Sequence, residues 1–158
     1  MSRSFNYRRS LPGTIRGMTE NQTPASGTAA SASKATTAVG IAMVTLDCAD
    51  PRAEAAFWSA LLGWEVAAVE DEYAMLKGPE SVLLGFGAVP DYAPPGWPNE
   101  NGSKQFHFDL KVDDLDAGEQ RCRDLGATVP ADQPGETWKV LLDPAGHPFC
   151  LTLAANWG

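Results

Sequence analysis

Apolar and polar residues follow the same order in two stretches of the chain, first with the period of a strand and then with the period of a helix. Residues 41–63 read IAMVTLDCADPRAEAAFWSALLG, and residues 105–126 read QFHFDLKVDDLDAGEQRCRDLG. Each stretch begins with an alternating apolar run, passes through aspartate into an amphipathic segment and ends in glycine. A repeated supersecondary unit restricts the architecture before any single residue is interpreted. The pattern therefore predicts two copies of one module.

Each copy predicts one helix that buries a single apolar stripe, over residues 51–62 and 114–125. In the first copy Asp50 is the predicted N-cap and Gly63 ends the helix. In the second copy Asp113 is the predicted N-cap and Gly126 ends the helix. The predicted stripes consist of Ala53, Ala56, Phe57, Ala60 and Leu61 in the first helix and Leu115, Cys122 and Leu125 in the second.

After each glycine the apolar pattern changes to a period of two, with turn residues between the runs. The predicted strands cover residues 64–69, 73–76 and 82–86 in the first copy and residues 127–129, 137–142 and 149–153 in the second. With the leading strand of each copy, the predicted order is βαβββ twice. The fold class is therefore expected to be α+β with eight strands.

Composition separates a tail from one folded domain. Residues 1–38 contain no periodic apolar run and are rich in Ser, Thr, Ala and Gly, so we expect them to be disordered. Residues 39–156 are expected to form the domain, with modules at about 39–89 and 104–156. No apolar export segment follows Arg8 and Arg9, so we expect a cytoplasmic protein without a membrane partner.

Charge and cysteine content narrow the function classes. The chain has 12 basic and 20 acidic residues, of which residues 1–37 contain 5 basic and 1 acidic. The rest of the chain therefore has 7 basic and 19 acidic residues, a net charge of −12. Such a domain repels phosphate backbones, so we expect no nucleic-acid partner. Cys48, Cys122 and Cys150 lack CxxC spacing, and the first two are interpreted as buried reduced thiols.

Three strings carry a family resemblance: DCADPRAEAAFWSALLGW at 47–64, HFDLKVDDLDAGEQRCRDLGA at 107–127 and DPAGHPFCLT at 143–152. Together they resemble the glyoxalase-like branch of the vicinal oxygen chelate superfamily, which includes bleomycin-resistance proteins and extradiol dioxygenases. The resemblance implies two βαβββ modules in a cup-shaped, eight-stranded mixed sheet, with helices on the convex face and a ligand site in the cup. It also implies a homodimer.

The resemblance further implies a metal held by the first and last strands of each module. The corresponding positions fall on Met43, His107 and Cys150, and the closing strand of the first module, VLLGFGAV, offers no ligand. Because a catalytic divalent ion normally needs about three protein ligands, we expect no bound metal and no other cofactor.

Strand alternation selects candidate contacts for a ligand. His107 and Asp109 alternate with Phe106 and Phe108, and Cys150 alternates with Phe149, so these polar side chains are expected to face the cup. His107 would orient a ligand or act as acid or base. A hydrogen-bonded histidine without a role in turnover is an equally supported alternative.

The linker at 89–104, VPDYAPPGWPNENGSK, predicts an extended aromatic loop. Tyr92 and Trp97 from this loop, with Trp138, are expected to wall the site. Trp58 and Trp64 are assigned to the core, and His147 in its turn to solvent. The predicted ligand contacts are Thr45, Trp97, His107, Asp109, Trp138 and Cys150.

Two function classes follow from these residues. The first is a metal-independent protein that binds a small organic metabolite or drug. The second is a metal-independent isomerase, lyase or cyclase in which His107 transfers the proton.

Overall fold

The computed structural model of the chain describes residues 40–157. The disorder expected for residues 1–38 lies outside this range. The helices are α1 (Pro51–Leu62) and α2 (Leu115–Asp124). The strands are β1 (Met43–Cys48), β2 (Glu65–Val69), β3 (Tyr73–Lys77), β4 (Leu83–Ala88), β5 (Asp109–Val112), β6 (Trp138–Leu142) and β7 (Pro148–Leu153). Neither helix is long and apolar enough to cross a membrane.

The two modules share one sheet topology. The first sheet has the order β1-β4-β3-β2, and the second has the order β5-β7-β6. In each, the leading strand is parallel to the closing strand, and the closing strand is antiparallel to the strand before it. The α+β class and the duplication are confirmed. The mixed sheet is divided into a four-stranded and a three-stranded part.

The strand predicted at 127–129 is absent from the second sheet. In its place a single bridge joins Thr128 to Leu142. Pro130 has no N–H to continue a ladder, and the Gln133 side chain occupies the next position on β6. The Gln133 amide accepts from the Val140 N–H at 2.8 Å and donates to the Val140 carbonyl at 3.0 Å. The eight-stranded prediction is wrong at this edge because a side chain replaces the pairing strand.

Helix α1 begins and ends as predicted. The Asp50 carboxylate accepts from the N–H groups of Arg52 and Ala53 at 3.0 and 3.1 Å. Gly63 ends the helix in the left-handed region, with φ of 70°.

The predicted stripe of α1 is partly wrong. Phe57 is buried as predicted, but Ala53, Ala56 and Ala60 are exposed. The inward face of the helix instead carries Pro51, Glu54, Ala55, Phe57 and Trp58. The helix is therefore rotated about its axis relative to the prediction. The bulk of Trp58 explains this rotation, because burying the indole also turns Glu54, one turn earlier, into the protein.

Helix α2 begins one residue later than predicted. Asp114, not Asp113, is the N-cap, and its carboxylate accepts from Asp116 N and Ala117 N, each at 2.9 Å. Adjacent aspartates are equivalent as caps in sequence, and the register of the incoming strand selects between them. Leu115, Cys122 and Leu125 pack toward the core as predicted.

The difference between the two aspartates is measurable. We expect Asp114→Ala to lower the free energy of unfolding by about 1 kcal/mol, because two helical N–H groups lose their acceptor. Asp113→Ala is the matched control and should change it by less than about 0.5 kcal/mol, as an exposed position does. Urea denaturation followed by circular dichroism measures both. A larger loss in the Asp113 variant would contradict the assignment.

The core joins the two modules around one side chain of α1. The Trp58 ring contacts Phe57 at 5.3 Å, Phe108 at 5.5 Å and Phe149 at 5.3 Å between ring centroids, all edge to face. Phe108 and Phe149 belong to the second module, so Trp58 packs between the modules. The cysteines Cys48, Cys122 and Cys150 are all buried free thiols.

Candidate functional site

An open pocket of about 250 Å³ lies on the second module. Its lining consists of Lys104, His107, Asp109, Trp138, Cys150 and Thr152. Pairing of β5 with β7 sets Asp109 beside Cys150, and pairing of β6 with β7 sets Trp138 beside Thr152. Four of the six predicted contacts, His107, Asp109, Trp138 and Cys150, therefore meet in one place.

His107 enters the pocket from the segment before β5. The alternating run that opens the second copy predicts a leading strand from residue 105 to residue 112, and this prediction is wrong in its first half, since β5 begins at Asp109. Gln105 has a φ of 54°, which interrupts extended backbone just before the histidine. The His107 Nδ1 atom lies 3.1 Å from the Gln105 carbonyl oxygen. A carbonyl oxygen only accepts, so Nδ1 holds the proton of the neutral ring and Nε2 keeps its lone pair.

The second ring nitrogen of His107 faces a carboxylate. His107 Nε2 lies 3.7 Å from Asp109 Oδ2, which is an ion-pair distance when the ring is protonated and too long for a direct hydrogen bond. Three quarters of the His107 side chain is covered, with 25% exposed. A group of a ligand placed beside Nε2 would therefore meet both an imidazole lone pair and a carboxylate.

Cys150 is a poor nucleophile in this position. The side chain is buried, and burial together with the negative charge of Asp109 raises the pKa of the Cys150 thiol to about 11. The thiol is protonated at neutral pH, and it supplies a wall of the pocket rather than a reacting thiolate.

Within the described residues, one group of side chains could hold the divalent metal implied by the superfamily. Donor atoms of His107, Asp109 and Cys150 lie within 4.8 Å of one another. A metal would bind the Cys150 sulfur as a thiolate, so its binding would release the thiol proton. In the first module the corresponding face holds Met43 beside Gly85, where an added Cβ would lie 2.9 Å from the Met43 sulfur. That module offers no oxygen or nitrogen ligand from β4.

Two indoles hold a cation at one edge of the pocket. Lys104 Nζ lies 4.8 Å from the ring centroid of Trp138 and 5.2 Å from that of Trp97. The Trp138 indole rests on the backbone of Gly135, where any added side chain would collide with it. Trp97 is therefore connected to the pocket through Lys104 and is not part of the lining.

Lys104 was not predicted from the sequence. It lies at the end of the linker, and its position between the two tryptophans depends on a contact with Trp138, which lies in a distant strand. Thr152 was also outside the predicted contacts. Its Oγ1 accepts from Asn156 Nδ2 and Trp157 Nε1, each at 3.3 Å, so its own hydroxyl hydrogen is free to donate.

Thr45, predicted as a polar contact, lies on β1 in the other sheet. Thr45 is paired with Gly85 on the neighbouring strand β4. Its Oγ1 lies over this glycine, 3.2 Å from where a Cβ would stand, so Thr45 packs on the face of the first module. Thr45 is not among the residues that line the pocket on the second module.

The predicted roles of Tyr92 and His147 change in the structure. The Tyr92 hydroxyl donates to the Ala145 carbonyl at 3.0 Å, so Tyr92 secures the linker to the β6–β7 turn and is not in the pocket lining. His147, expected in solvent, is half-buried. Its ring Nε2 donates to the Asp47 carbonyl at 2.6 Å, and its backbone N–H donates to Asp143 Oδ1 at 2.8 Å. The solvated prediction is wrong because the turn packs against the end of β1.

A buried pair of acids lies behind the same turn. The Trp58 Nε1 atom is 3.2 Å from both Glu54 Oε2 and Asp143 Oδ2. The two residues are 1% and 3% exposed. Burial raises the pKa of both carboxyls, and their mutual repulsion raises that of Glu54 further. The pair is closed to a ligand and belongs to the stability of the fold.

A second pocket of about 160 Å³ lies between the modules. Its lining is wholly apolar and consists of Val44, Trp58, Leu62, Trp64, Val82, Leu83, Leu84, Phe108 and Leu110. Because no polar group there would orient a ligand, the pocket on the second module is the stronger candidate site.

Comparisons with known proteins agree with this architecture. A family model described as the glyoxalase-like domain matches residues 43–152. A comparison with curated protein sequences gives no match.

Solved structures share the fold at low identity. A possible glyoxalase from Bacillus cereus superposes with a TM-score of 0.54 at 18% identity, over 73% of this chain and 99% of that one. A glyoxalase-related enzyme from Fulvimarina pelagi has a TM-score of 0.54 at 18% identity, over 73% and 88%. A glyoxalase/bleomycin resistance protein/dioxygenase family enzyme from Burkholderia phytofirmans PsJN has a TM-score of 0.53 at 19% identity, over 71% and 96%. The family match spans more than half of the chain and confirms the resemblance in the three sequence strings: the chain belongs to the glyoxalase-like domain family of the vicinal oxygen chelate superfamily.

Proposed function

We propose that this family member binds a small organic ligand in the pocket on the second module and does so without a resident divalent metal. One observation carries the proposal: His107, Asp109, Trp138 and Cys150 come from three strands and a preceding loop, yet they line one open pocket. An aromatic wall with a few polar groups is the composition of a small-molecule site. Trp97 is proposed to cover one edge through Lys104, whereas the contact by Thr45 stays a prediction.

The assembly and location inferred from the sequence also stay predictions. A homodimer is supported by the unpaired edges of β1 and β5 within the described residues.

A second function is favoured by one specific contact. The Gln105 carbonyl holds the Nδ1–H of His107, which leaves Nε2 available to take a proton from a ligand in the pocket. The alternative is therefore a metal-independent isomerase, lyase or cyclase with His107 as its general base. The carbonyl contact would orient the ring, and the Asp109 carboxylate would stabilise the imidazolium that forms.

The binding proposal predicts a loss of affinity in Trp138→Ala. The protein is mixed with a bacterial metabolite extract, desalted rapidly and analysed by native mass spectrometry. We expect at least one retained compound, and titration of that compound against Trp138→Ala should show binding weakened by about 0.5–1.5 kcal/mol beyond the lost contact area, since a stacking partner is removed. The matched control is Tyr73→Ala, an exposed aromatic on the first module, which should leave the affinity unchanged.

The variant His107→Ala separates the two functions. A binder should show no chemical change of the retained compound in either protein, whereas an enzyme should lose turnover in the variant and keep most of its affinity. Equal retention by wild type and Trp138→Ala would place the site elsewhere. Binding that EDTA abolishes and zinc restores would contradict the metal-free part of the proposal.

A further inference from the structure

The ammonium of Lys104 is held by aromatic faces and has no hydrogen-bond acceptor among residues 40–157. Its Nζ lies over Trp138 at 4.8 Å and over Trp97 at 5.2 Å. Within residues 40–157, no carboxylate lies within ion-pair distance of this lysine: the ion pairs of the described lysines all belong to Lys139. Indole faces attract the positive charge and restrict its position, but they leave the N–H donors without hydrogen-bond acceptors.

We propose that Lys104 anchors an anionic group of the ligand, so that the ligand is a small organic acid whose carbon skeleton lies along Trp138. The inference rests on the proposed function, because it assigns the ligand class for the same pocket. It concerns the charge of the ligand and not its reaction.

The unused donors of Lys104 and Thr152 support an anion. Lys104 has three N–H donors, and the hydroxyl of Thr152 has a hydrogen that its two neighbours, both donors themselves, do not use. The Trp97 indole N–H also has no acceptor among the described residues, but it is buried outside the pocket lining and is not counted. The acceptors of the lining, the Asp109 carboxylate and the Nε2 lone pair of His107, lie beside each other, 3.7 Å apart. The ion pairs of the described residues include none between Asp109 and Lys104. A ligand carboxylate beside Lys104 would therefore supply the acceptor that the ammonium lacks.

A cationic ligand is the opposing possibility, because the folded part of the chain is strongly acidic and attracts cations. The position between the two indoles is the natural place for such a group, but Lys104 already occupies it. A second cation in the same pocket would be repelled by the lysine at short range. Beside the two indoles the local charge therefore favours an anion, whereas the Asp109 carboxylate belongs to another part of the lining.

Three probes of similar shape test the charge preference: phenylacetate, phenylacetamide and phenethylammonium. Each is titrated at low ionic strength and followed by tryptophan fluorescence. We expect phenylacetate to bind about fivefold more tightly than the amide, as a charge-assisted hydrogen bond predicts, and phenethylammonium to bind most weakly. The preference for phenylacetate should shrink as salt is added.

Variants then assign the preference to one residue. Lys104→Met keeps the apolar stem, so it should abolish the preference for phenylacetate and leave the amide affinity within about twofold, because no charged contact is lost to that probe. Lys104→Arg should keep the preference. Lys77→Met, at an exposed lysine of the first module, is the matched control and should behave as wild type.

The outcomes distinguish this inference from the function on which it rests. Tightest binding of phenethylammonium, or an unchanged preference in Lys104→Met, overturns the anion assignment while the pocket stands. Failure of all three probes, together with retention of a neutral or cationic metabolite that depends on Trp138, also overturns the anion assignment alone. If no probe binds and no metabolite is retained, both proposals fail.

Discussion

Replacing Trp58 by alanine is expected to lower the free energy of unfolding by about 3–5 kcal/mol, a large part of the stability of an ordinary domain. The side chain is 1% exposed and packs on Phe57, Phe108 and Phe149. Its removal leaves a cavity between the modules and takes the shared N–H donor away from Glu54 and Asp143. Urea denaturation followed by circular dichroism measures the loss.

Two further variants separate the causes of this loss. Trp58→Phe keeps an aromatic ring but removes the N–H donor, so we expect a smaller loss of about 1–3 kcal/mol from the unsatisfied carboxyls. Trp64→Phe, at a half-buried tryptophan outside the acid pair, should cost less than Trp58→Phe. A Trp58→Ala protein within about 1 kcal/mol of wild type would contradict the shared core.

Stability is expected to fall as pH rises from about 4.5 to about 8, the reverse of the usual behaviour of carboxyls. Burial raises the pKa of Glu54 from 4.5 to about 8, and repulsion by Asp143 acts in the same direction. In this window the folded state binds more protons than the unfolded state, so the free energy of unfolding decreases with pH. The stabilisation is fully present below about pH 4.5 and is lost by about pH 8. We expect a change of about 2–5 kcal/mol across the window.

The variant Glu54→Gln tests the cause. A neutral amide resembles the protonated acid, so the variant should lose most of the pH dependence and exceed wild type in stability at pH 8. Glu80→Gln, at an exposed glutamate, should keep the wild-type slope. Denaturation midpoints that rise with pH in wild type, or an unchanged slope in Glu54→Gln, would contradict the buried acid pair. The Lys139 contacts lower the pKa of Asp116 and Glu119, so those groups act in the opposite sense, but below pH 4.5.

Local pattern was sufficient for the elements and the family. The helix from Pro51 to Leu62 was predicted to the residue because Asp50 and Gly63 act on neighbouring backbone groups. Strand alternation likewise predicted that Asp109 and Cys150 point to the same face of their sheet, because side chains alternate with a period of two along a strand. These effects depend on residues a few positions apart, so they can be read along the chain.

Choices between equivalent local options required the tertiary structure. Asp113 and Asp114 are both good caps, and the end of β5 decides between them. Gln133 is an ordinary loop residue until its amide meets Val140 on β6 and replaces the eighth strand. In both cases the deciding contact is with a separate element, which the local pattern does not describe.

For the site, the sequence by itself determined the family and the two modules, and strand alternation predicted that Asp109 and Cys150 share one face. His107 lies before β5, so its direction was not set by that alternation. Only the tertiary structure brought Lys104 between two tryptophans and turned Glu54 inward beside Asp143. Both are ionisable residues that sequence patterns assign to solvent. Their surroundings come from elements far away in the chain, so the free energy that holds them depends on the assembled fold and not on their neighbours in sequence.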